Sequence, residues 1–582
     1  MTAKQWASWI AVIGAAFAFY AYGARTGAVQ PWYTDETSYY TIYAMQLAQQ
    51  IAFGAPTKFV TVFPSGYSLV VMIVYGAFYV IGRLTGEFKD ATDFLIRYAV
   101  HREEFVVLAR WVSAAFAALA LPGTFMAARR LFNTRAAVVA TAGLALCYPM
   151  VTFAHMAANI TMLVCLSAWT LYWIARVWHE GTLRTYVATG ALIGAGIGTK
   201  YFPAIWFLSL VLAHLYRRGS PGLLDRRAYA WTSIKPLVAA GLVSVPVMFL
   251  LFPIPLLDPG QWYFGMVSNL VYYTGGNAFS NAWSYLTGTA SALESTTAEP
   301  VSWWSNSFLI LTVPGLIWIT AAIGAGLVAF RRETVVLAGP FLLFFAYQCV
   351  RGGQGLGVRQ FYFALPGLWI VAAAGLDAIC RRITLPRVST PALTAAAAVL
   401  LLAQPAWWAS QFLMLSSRPT TVDTARADMA GIVEPGASLL VDSAAAPFGE
   451  TVDWSEAGIQ QRDVVASADR VRDARRNAAP PFDVQELRWK DLEQDVRDAE
   501  SRGRPVYVAI TDYQTTAYWE PDTIRVWGNI SAPRAAGRRA YIKSLFDRTE
   551  VVRVYRPRDL RAIGPTVTLL RVTPLKESHR VE

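Results

Sequence analysis

Two adjacent carboxylates, Asp35 and Glu36, stand just beyond the first apolar run, in the stretch VQPWYTDETSYYTIYAM. A carboxylate held against a reacting hydroxyl can take its proton as a general base, whereas a carboxylate in a wet loop only keeps that loop hydrated. Cations that could hold a phosphate follow at the edges of later apolar runs, namely Arg110, Lys200, Arg351 and Arg359. The elements between these residues decide whether they meet.

Composition indicates an integral membrane protein. Hydrophobic residues make up 55% of the 582 residues and charged residues only 15%. The net charge of +12 is carried by short basic clusters beside apolar runs, which indicates orientation in a membrane and excludes nucleic-acid binding. The four cysteines lie in or beside apolar segments without paired spacing, so neither a disulfide framework nor a thiolate metal site is indicated.

Apolar runs long enough to cross about 30 Å of hydrocarbon predict about eleven transmembrane helices. The first run is interpreted as a retained helix rather than a cleaved signal peptide, because no clear small-residue cleavage site follows it. The predicted spans are residues 6–24, 105–128, 135–153, 159–176, 184–199, 203–216, 236–252, 307–330, 334–350, 362–379 and 392–412.

One further apolar run, GYSLVVMIVYGAFYVIG from Gly66 to Gly82, is ambiguous. If it does not cross, the basic clusters after the second, fourth, sixth, eighth and tenth spans all fall on the side of Lys4, which the positive-inside rule makes the cytoplasm. If it crosses, every later cluster moves outside. The run is therefore predicted to be a surface-lying or re-entrant segment within one long first outer loop, residues 25–104.

The chain divides into a transmembrane domain, residues 1–415, and a small C-terminal extracytoplasmic α/β domain, residues 421–582. In the second domain ASLLVDS, PVYVAITDY, VVRVYR and VTLLRVTP are typical of strands, and DLEQDVRDAESRG has helical charge spacing and ends on a glycine. The predicted fold class is thus a polytopic α-helical membrane protein with membrane-surface helices in its first outer loop.

Several motifs occur in the order found in one family. They are YTDETSYY, FPSGYSLVV, the span LARWVSAAFAALALPGTFMAARRLF, the glycine-rich GALIGAGIGTKYFPA, and GVRQFYFALPGLWIVAAAGLD. Together they cover most of residues 20–380. The chain resembles the polyprenol-dependent glycosyltransferases of the C superfamily, in the branch of protein O-mannosyltransferases and lipid A aminoarabinose transferases.

The resemblance implies roles for the residues that match its motifs. Asp35 is expected to be the general base that takes the proton of the acceptor hydroxyl, and Glu36 to bind a hydroxyl or orient the loop. Cations at the outer ends of spans are expected to bind the phosphate of the donor, whose leaving group develops negative charge. These candidates are Lys200, Arg359, Arg110 and Arg351; Arg351 directly precedes the glycine-rich GGQGLGVRQ segment and Arg359 lies within it.

Four further residues are candidates for contacts to the sugar or the acceptor. Tyr39 and Tyr40 could stack on a sugar, although interfacial aromatics need no ligand. Many relatives carry a second acid before the fourth span, where this chain has FAHMAANITML. His155 and Asn159 there would share a helix face and could bind a sugar or phosphate together; the alternative is a helix-capping asparagine and a buried histidine.

The predicted function is an inverting membrane glycosyltransferase of the bacterial inner membrane, working on the outer face. Its partners would be a polyprenyl-phosphate-linked sugar donor and a lipid, glycan or protein acceptor. Two alternatives stay open, a transporter or flippase for an isoprenoid-linked glycan and a nonenzymatic glycan-binding envelope-assembly protein. A divalent metal ion near the Asp-Glu motif, as in some relatives, is left open as a cofactor, and the sugar, the acceptor and the oligomeric state are not indicated.

Overall fold

The structure is a computed structural model of the 582-residue chain. It describes residues 3–28, 36–53, 64–217, 231–257, 259–260, 262–263, 332–337, 339–340, 358–383, 388–441, 446–448, 468–487, 492–512, 543 and 546–573. Every structural statement below concerns these residues.

Helices dominate the first three quarters of the chain. In order they are α1 (Ala3–Ala21), a π-helix (Glu36–Thr41), α2 (Ile42–Phe53), α3 (Gly66–Thr85), α4 (Ala91–Val100), α5 (Arg102–Leu131), α6 (Thr134–Leu146), α7 (Tyr148–Ala154), α8 (Ile160–Glu180), α9 (Leu183–Thr199), a 3₁₀ helix (Phe202–Ile205), α10 (Trp206–Tyr216), α11 (Trp231–Leu251), α12 (Ile254–Leu257), a second 3₁₀ helix (Val358–Ala364), α13 (Leu365–Arg382) and α14 (Thr390–Ser416).

The bundle is centred on α5, whose 30 residues would extend about 45 Å and so exceed the hydrocarbon thickness. Its neighbours are α1, α6 and α8, and one large apolar cluster joins these helices to α13 and α14. Between α9 and α11 the contact is backbone against backbone, since a Cβ placed on Gly194 would lie 2.2 Å from the carbonyl oxygen of Ser244. Small residues thus allow the closest helix approach in this part of the bundle.

Basic residues gather at one end of the bundle. Asp377, near the end of α13, accepts hydrogen bonds from Arg135 Nε at 2.8 Å and from Arg381. Glu180, at the end of α8, is paired with Arg130 at 3.0 Å and with Arg176 at 2.7 Å. We call this the basic end; it agrees with the sequence-based placement of the described basic clusters on a common side.

The opposite end, which we call the loop end, is formed by the start of α5, the ends of α1 and α9, and the α7–α8 junction. The helix α3 has its contacts there. Ser65 Oγ donates to the carbonyl oxygen of Leu251 at 3.3 Å, and a Cβ on Gly66 would lie 2.8 Å from Thr199 Oγ1. Beyond its other end, Asp90 and Asp93 pair with Arg470 of the C-terminal part of the chain. The start of α3 thus contacts the loop end, and the surface-lying or re-entrant placement of this helix stays a prediction.

The number of spans stays a prediction. By length and composition six described helices could cross a membrane, or seven if the pair α6 and α7 is one span, and α3 is among the six. The predicted spans 307–330 and 334–350 lie largely outside the described residues. The predicted span 135–153 is broken at Cys147, where α6 and α7 meet at a 52° bend just before Pro149.

The C-terminal α/β region, residues 421–572, carries a five-stranded sheet. Its elements are α15 (Thr421–Ile432), β1 (Ser438–Val441), α16 (Ala468–Ala478), β2 (Asp483–Glu486), α17 (Leu492–Glu500), β3 (Val506–Thr511), β4 (Thr549–Tyr555), α18 (Pro557–Leu560) and β5 (Val567–Val572). The strand order is β2-β1-β3-β5-β4, with β2, β1 and β3 parallel and β5 and β4 antiparallel to their neighbours.

Helices cover both faces of this sheet, which explains why its central strands are apolar throughout. Leu439 and Tyr507 face the cluster that includes Val422 and Met429 of α15. Leu440, Val508 and Leu570 face the opposite cluster, which includes Val496 of α17. The four strands and the helix predicted from the sequence are all present in the structure.

Candidate functional site

A buried ion pair lies at the loop end, immediately after Asp35 in the chain. Glu36, the first residue of the π-helix, has no exposed surface, and the Arg110 side chain is 3% exposed. Arg110 Nε donates to Glu36 Oε1 and Arg110 Nη2 to Glu36 Oε2, both at 2.9 Å. The backbone N–H of Ala157 also donates to Oε1, at 2.5 Å. This forked geometry fixes the carboxylate against α5 and the α7–α8 junction.

The remaining donors of Arg110 hold the turn that follows α1. Nη1 donates to the carbonyl oxygens of Ala24 at 2.8 Å and Thr26 at 2.7 Å, and Nη2 donates to that of Gly27 at 3.4 Å. With the two bonds to Glu36, all five guanidinium N–H groups have acceptors. The binding of a donor phosphate by Arg110 stays a prediction; the geometry gives the residue a positioning role, because it ties two ends of the Asp35 segment to α5.

Local sequence explains why the turn after α1 can present its carbonyls in this way. Gly23 and Gly27 have φ values of +75° and +61°, in the left-handed region that favours glycine. A Cβ on Gly23 would also lie 2.5 Å from the carbonyl oxygen of Ser416. On the other side of the site, the turn between α7 and α8 carries the backbone N–H of Ala157 that donates to Glu36.

Asn159 links the π-helix to the end of α9. Tyr40 Oη donates to Asn159 Oδ1 at 3.0 Å, and Asn159 Nδ2 donates to the carbonyl oxygen of Thr199 at 3.4 Å. The next residue, Lys200, is the C-cap of α9; it is half-buried, and its Nζ lies 5.6 Å from the ring centroid of Phe202. The network therefore brings the segment of Lys200 to the same end of the bundle as Glu36.

His155 holds α7 to the end of α1. Its Nδ1 lies 2.7 Å from the carbonyl oxygen of Val151 and its Nε2 lies 2.6 Å from that of Tyr22. Burial lowers the pKa of the imidazole, against the opposing effect of these two carbonyls. The prediction that His155 and Asn159 share a helix face is wrong: residues 155–159 form turns, with His155 as the C-cap of α7 and Asn159 as the N-cap of α8. His155 is buried, as the alternative predicts, but Asn159 stands at the N-cap position without a side-chain capping hydrogen bond, because its amide binds Tyr40 and the Thr199 carbonyl instead.

A cavity of about 20 Å³ lies beside Arg110 and His155, bounded by Phe412 of α14. Such a volume has room for about one water.

Several predicted site residues lie outside what the structure describes. Asp35 and Arg351 are not described at all, and for Tyr39 and Arg359 only the backbone is, within the π-helix and the second 3₁₀ helix. Their roles stay predictions, as do the ligand contacts of Lys200, Tyr40, His155 and Asn159. The structure does bring Glu36, Arg110, Tyr40, His155, Asn159 and the segment of Lys200 to one end of the bundle. The backbone carbonyl groups of the turn after α1 lie at the same end of the bundle, and no sequence motif predicts their part in the site.

In the described part of the chain, no three His, Cys, Asp or Glu side chains lie together in a way that could hold a metal ion. Because Asp35 is outside that part, a divalent ion at the Asp-Glu motif stays a prediction.

The chain is similar to known proteins in part of its sequence and in its overall structure. Residues 99–249 match the family of dolichyl-phosphate-mannose-protein mannosyltransferases. No curated protein matches the sequence. Among solved structures, ArnT from Cupriavidus metallidurans bound to undecaprenyl phosphate is similar at 14% identity and a TM-score of 0.49, covering 99% of this chain and 100% of that chain. The apo oligosaccharyltransferase of Archaeoglobus fulgidus is similar at 11% identity and a TM-score of 0.43, covering 90% of this chain and 72% of that chain. The family match confirms the resemblance to protein O-mannosyltransferases over residues 99–249.

Proposed function

We propose that the chain is an inverting membrane glycosyltransferase of the bacterial inner membrane. It takes a sugar from a polyprenyl-monophosphate donor and transfers it, on the extracytoplasmic face, to a lipid, glycan or protein of the cell envelope. Asp35 is the general base. The loop end of the bundle is the outer face, because the described basic clusters gather at the opposite end.

The observation that carries the proposal is the buried pair of Glu36 and Arg110. It anchors the residue next to Asp35 between α5 and the α7–α8 junction, which limits where the Asp35 carboxylate can go. General-base help, in which a carboxylate takes the proton of the acceptor hydroxyl, accelerates such a transfer roughly 10²- to 10⁴-fold. The family match supports the donor class, since its members are described by a polyprenyl-type phosphate sugar, dolichyl-phosphate-mannose.

Lys200 is the proposed cation for the donor phosphate. It follows Thr199, whose carbonyl oxygen is held by Asn159, and thus stands at the outer end of α9 at the level of the headgroups. Charge that develops on the leaving phosphate is stabilised best by a cation already in position. The Asn159 link supplies that positioning for the backbone of this segment.

The test is transfer from a synthetic polyprenyl-phosphate sugar to membrane extracts that contain the cell's own acceptors. Asp35→Asn should lower the turnover number by at least about 10²-fold, while expression, the thermal unfolding midpoint and donor binding stay close to those of the wild type. A matched control is Asp559→Asn, an exposed carboxylate of the C-terminal region whose side chain is 62% exposed. Asp559→Asn should transfer at the wild-type rate.

Two results would overturn the proposal. Unchanged turnover in Asp35→Asn would remove Asp35 as the base. Absence of transfer by the wild type from any of a panel of polyprenyl-phosphate sugars, with the donor lipid instead moved between leaflets of a vesicle, would favour a transporter.

A further inference from the structure

The turn after α1, residues 22–28, is held from two sides. From the bundle, Arg110 binds three of its carbonyls and His155 faces the carbonyl of Tyr22. From the C-terminal part of the chain, Asp423 Oδ2 accepts a hydrogen bond from the backbone N–H of Gly27 at 3.2 Å. Thr26 Oγ1 also donates to the carbonyl oxygen of Ser416, the last residue of α14. The turn leads directly into the segment that carries Asp35.

Asp423 is itself fixed by the start of α15. Its Oδ2 accepts from the backbone N–H of Thr420 at 3.0 Å, and its own N–H donates to Thr420 Oγ1 at 3.0 Å, which is a reciprocal capping box. One carboxylate oxygen therefore serves both α15 and Gly27. The hydrogen bond from the Thr420 N–H holds the Asp423 carboxylate at the start of α15, in the orientation in which Oδ2 also accepts from Gly27.

The C-terminal α/β region is tied to α15 as a unit. Thr421 N–H donates to the carbonyl oxygen of Ile563 at 3.0 Å, and Thr421 Oγ1 donates to that of Pro565 at 2.7 Å. Val422 and Met429 of α15 are buried against the sheet. A continuous path of hydrogen bonds and packed side chains thus runs from the sheet through Asp423 to Gly27, then through Arg110 to Glu36.

We propose that Asp423 is a positioning residue for the transfer reaction, through which the C-terminal α/β region sets the place of the Asp35 segment. The region is then part of the catalytic machinery and not only a surface for the acceptor. The inference rests on the proposed function, in which Asp35 is the general base. A base displaced by about 1 Å can lose up to about 10²-fold in rate.

The test compares variants of the full-length enzyme in the transfer assay above. Asp423→Ala removes the carboxylate half of the α15 capping box and the acceptor of the Gly27 N–H. Thr420→Ala is the matched control, since it weakens the same capping box but leaves Asp423 Oδ2 facing Gly27. Asp423→Asn is the rescue variant, because its amide oxygen can accept both hydrogen bonds.

Asp423→Ala should lower kcat by about 10-fold or more relative to Thr420→Ala, with the KM for the donor within about 2-fold. Asp423→Asn should return kcat to within about 3-fold of the wild type. The thermal unfolding midpoint of Asp423→Ala should lie slightly below that of Thr420→Ala, because both variants lose one capping interaction and Asp423→Ala also loses the hydrogen bond from the Gly27 N–H.

Equal kcat values in Asp423→Ala and Thr420→Ala would overturn the inference and leave the proposed function intact, as would a change in KM alone. If the wild type shows no transfer, or Asp35→Asn keeps full turnover, the proposed function fails first. As a second probe, Thr26→Val removes the link to Ser416 from the same turn and should also lower kcat without raising KM; a wild-type kcat in this variant would contradict a role for the clamped turn.

Discussion

Glu36 and Arg110 are 74 residues apart in the chain, and two parallel N–H···O bonds of 2.9 Å join them in the interior of the protein. Arg110 also donates hydrogen bonds to backbone carbonyl oxygens of the turn after α1, so the pair links α1, the π-helix and α5 at one point. Removing one partner of such a pair leaves a buried charge without a counter-ion, whereas an exposed pair contributes little.

We therefore expect Arg110→Met to lower the free energy of unfolding by about 3–5 kcal/mol. Equilibrium unfolding in mixed micelles with increasing denaturing detergent measures this difference. The control is Arg553→Met, whose guanidinium is 56% exposed and pairs with Asp428 at 3.2 Å on the surface of the C-terminal region. Similar stabilities of the two variants would show that the Glu36–Arg110 pair is not the anchor described.

Tyr40 and Asn159 provide a second, weaker link, and a double-mutant cycle measures it. Tyr40→Phe and Asn159→Ala each remove the bond between Tyr40 Oη and Asn159 Oδ1. The coupling free energy should be about 1 kcal/mol, as for a typical neutral hydrogen bond. Strictly additive effects on unfolding would mean that the two side chains do not interact in the folded protein.

Much of the architecture is readable in the sequence because it depends on local patterns. The basic clusters beside apolar runs predict a common end for Arg130, Arg135, Arg176 and Arg381, and the structure groups these residues there. Continuous apolar runs likewise predict β1, β3 and β5. The strand β2 is not predicted, because DVQE is short and polar. Its position in the sheet is set by parallel pairing with β1, in which Leu439 lies opposite Val484.

The contacts of the candidate site are harder to predict from the sequence, because they join residues that are distant in the chain. Sequence places Glu36 and Arg110 at the same membrane level but says nothing of their pairing, and so assigns Arg110 to a phosphate. The helix expected across His155 and Asn159 does not form, since the chain there turns between α7 and α8 to offer the Ala157 N–H to Glu36. Pro149 lies at the start of α7 and accompanies the preceding break between α6 and α7, not the turn between α7 and α8.

Backbone contact between α9 and α11 predicts strong position dependence for glycine replacements. Gly194→Ala would bring a Cβ to 2.2 Å from the Ser244 carbonyl oxygen, so the helices must separate and the yield of folded protein should fall sharply. Gly241→Ala, in α11, meets nothing within 4 Å and should leave the yield unchanged. Size-exclusion chromatography of detergent extracts compares the two. Equal monodisperse yields would contradict the close packing of α9 on α11.

The contact between α4 and α16 should depend on pH. The backbone N–H of Asp93 and the guanidinium of Arg470 lower the pKa of Asp90 below its ordinary value of 3.8. A carboxylate with a lowered pKa contributes stability above its ordinary pKa, and that contribution is lost as the pH falls below it and through the lowered value. Arg470 Nη1 lies 3.1 Å from Asp90 Oδ2 and Nη2 lies 2.6 Å from Asp93 Oδ1, so the link to α16 weakens in the same window.

Hydrogen exchange of residues 91–100, corrected for the intrinsic effect of pH on exchange, measures this link. Protection should be constant from pH 7 to about pH 5 and fall below about pH 4, where Asp90 takes up its proton. Arg470→Met should give the low protection already at pH 7 and remove the part of the pH dependence that comes from α16. Asp90 still caps α4 in that variant through its bond to the Asp93 N–H at 2.9 Å, so the helix itself should persist. Protection in Arg470→Met that equals the wild type at pH 7 would show that the ion pairs do not hold α16 against α4.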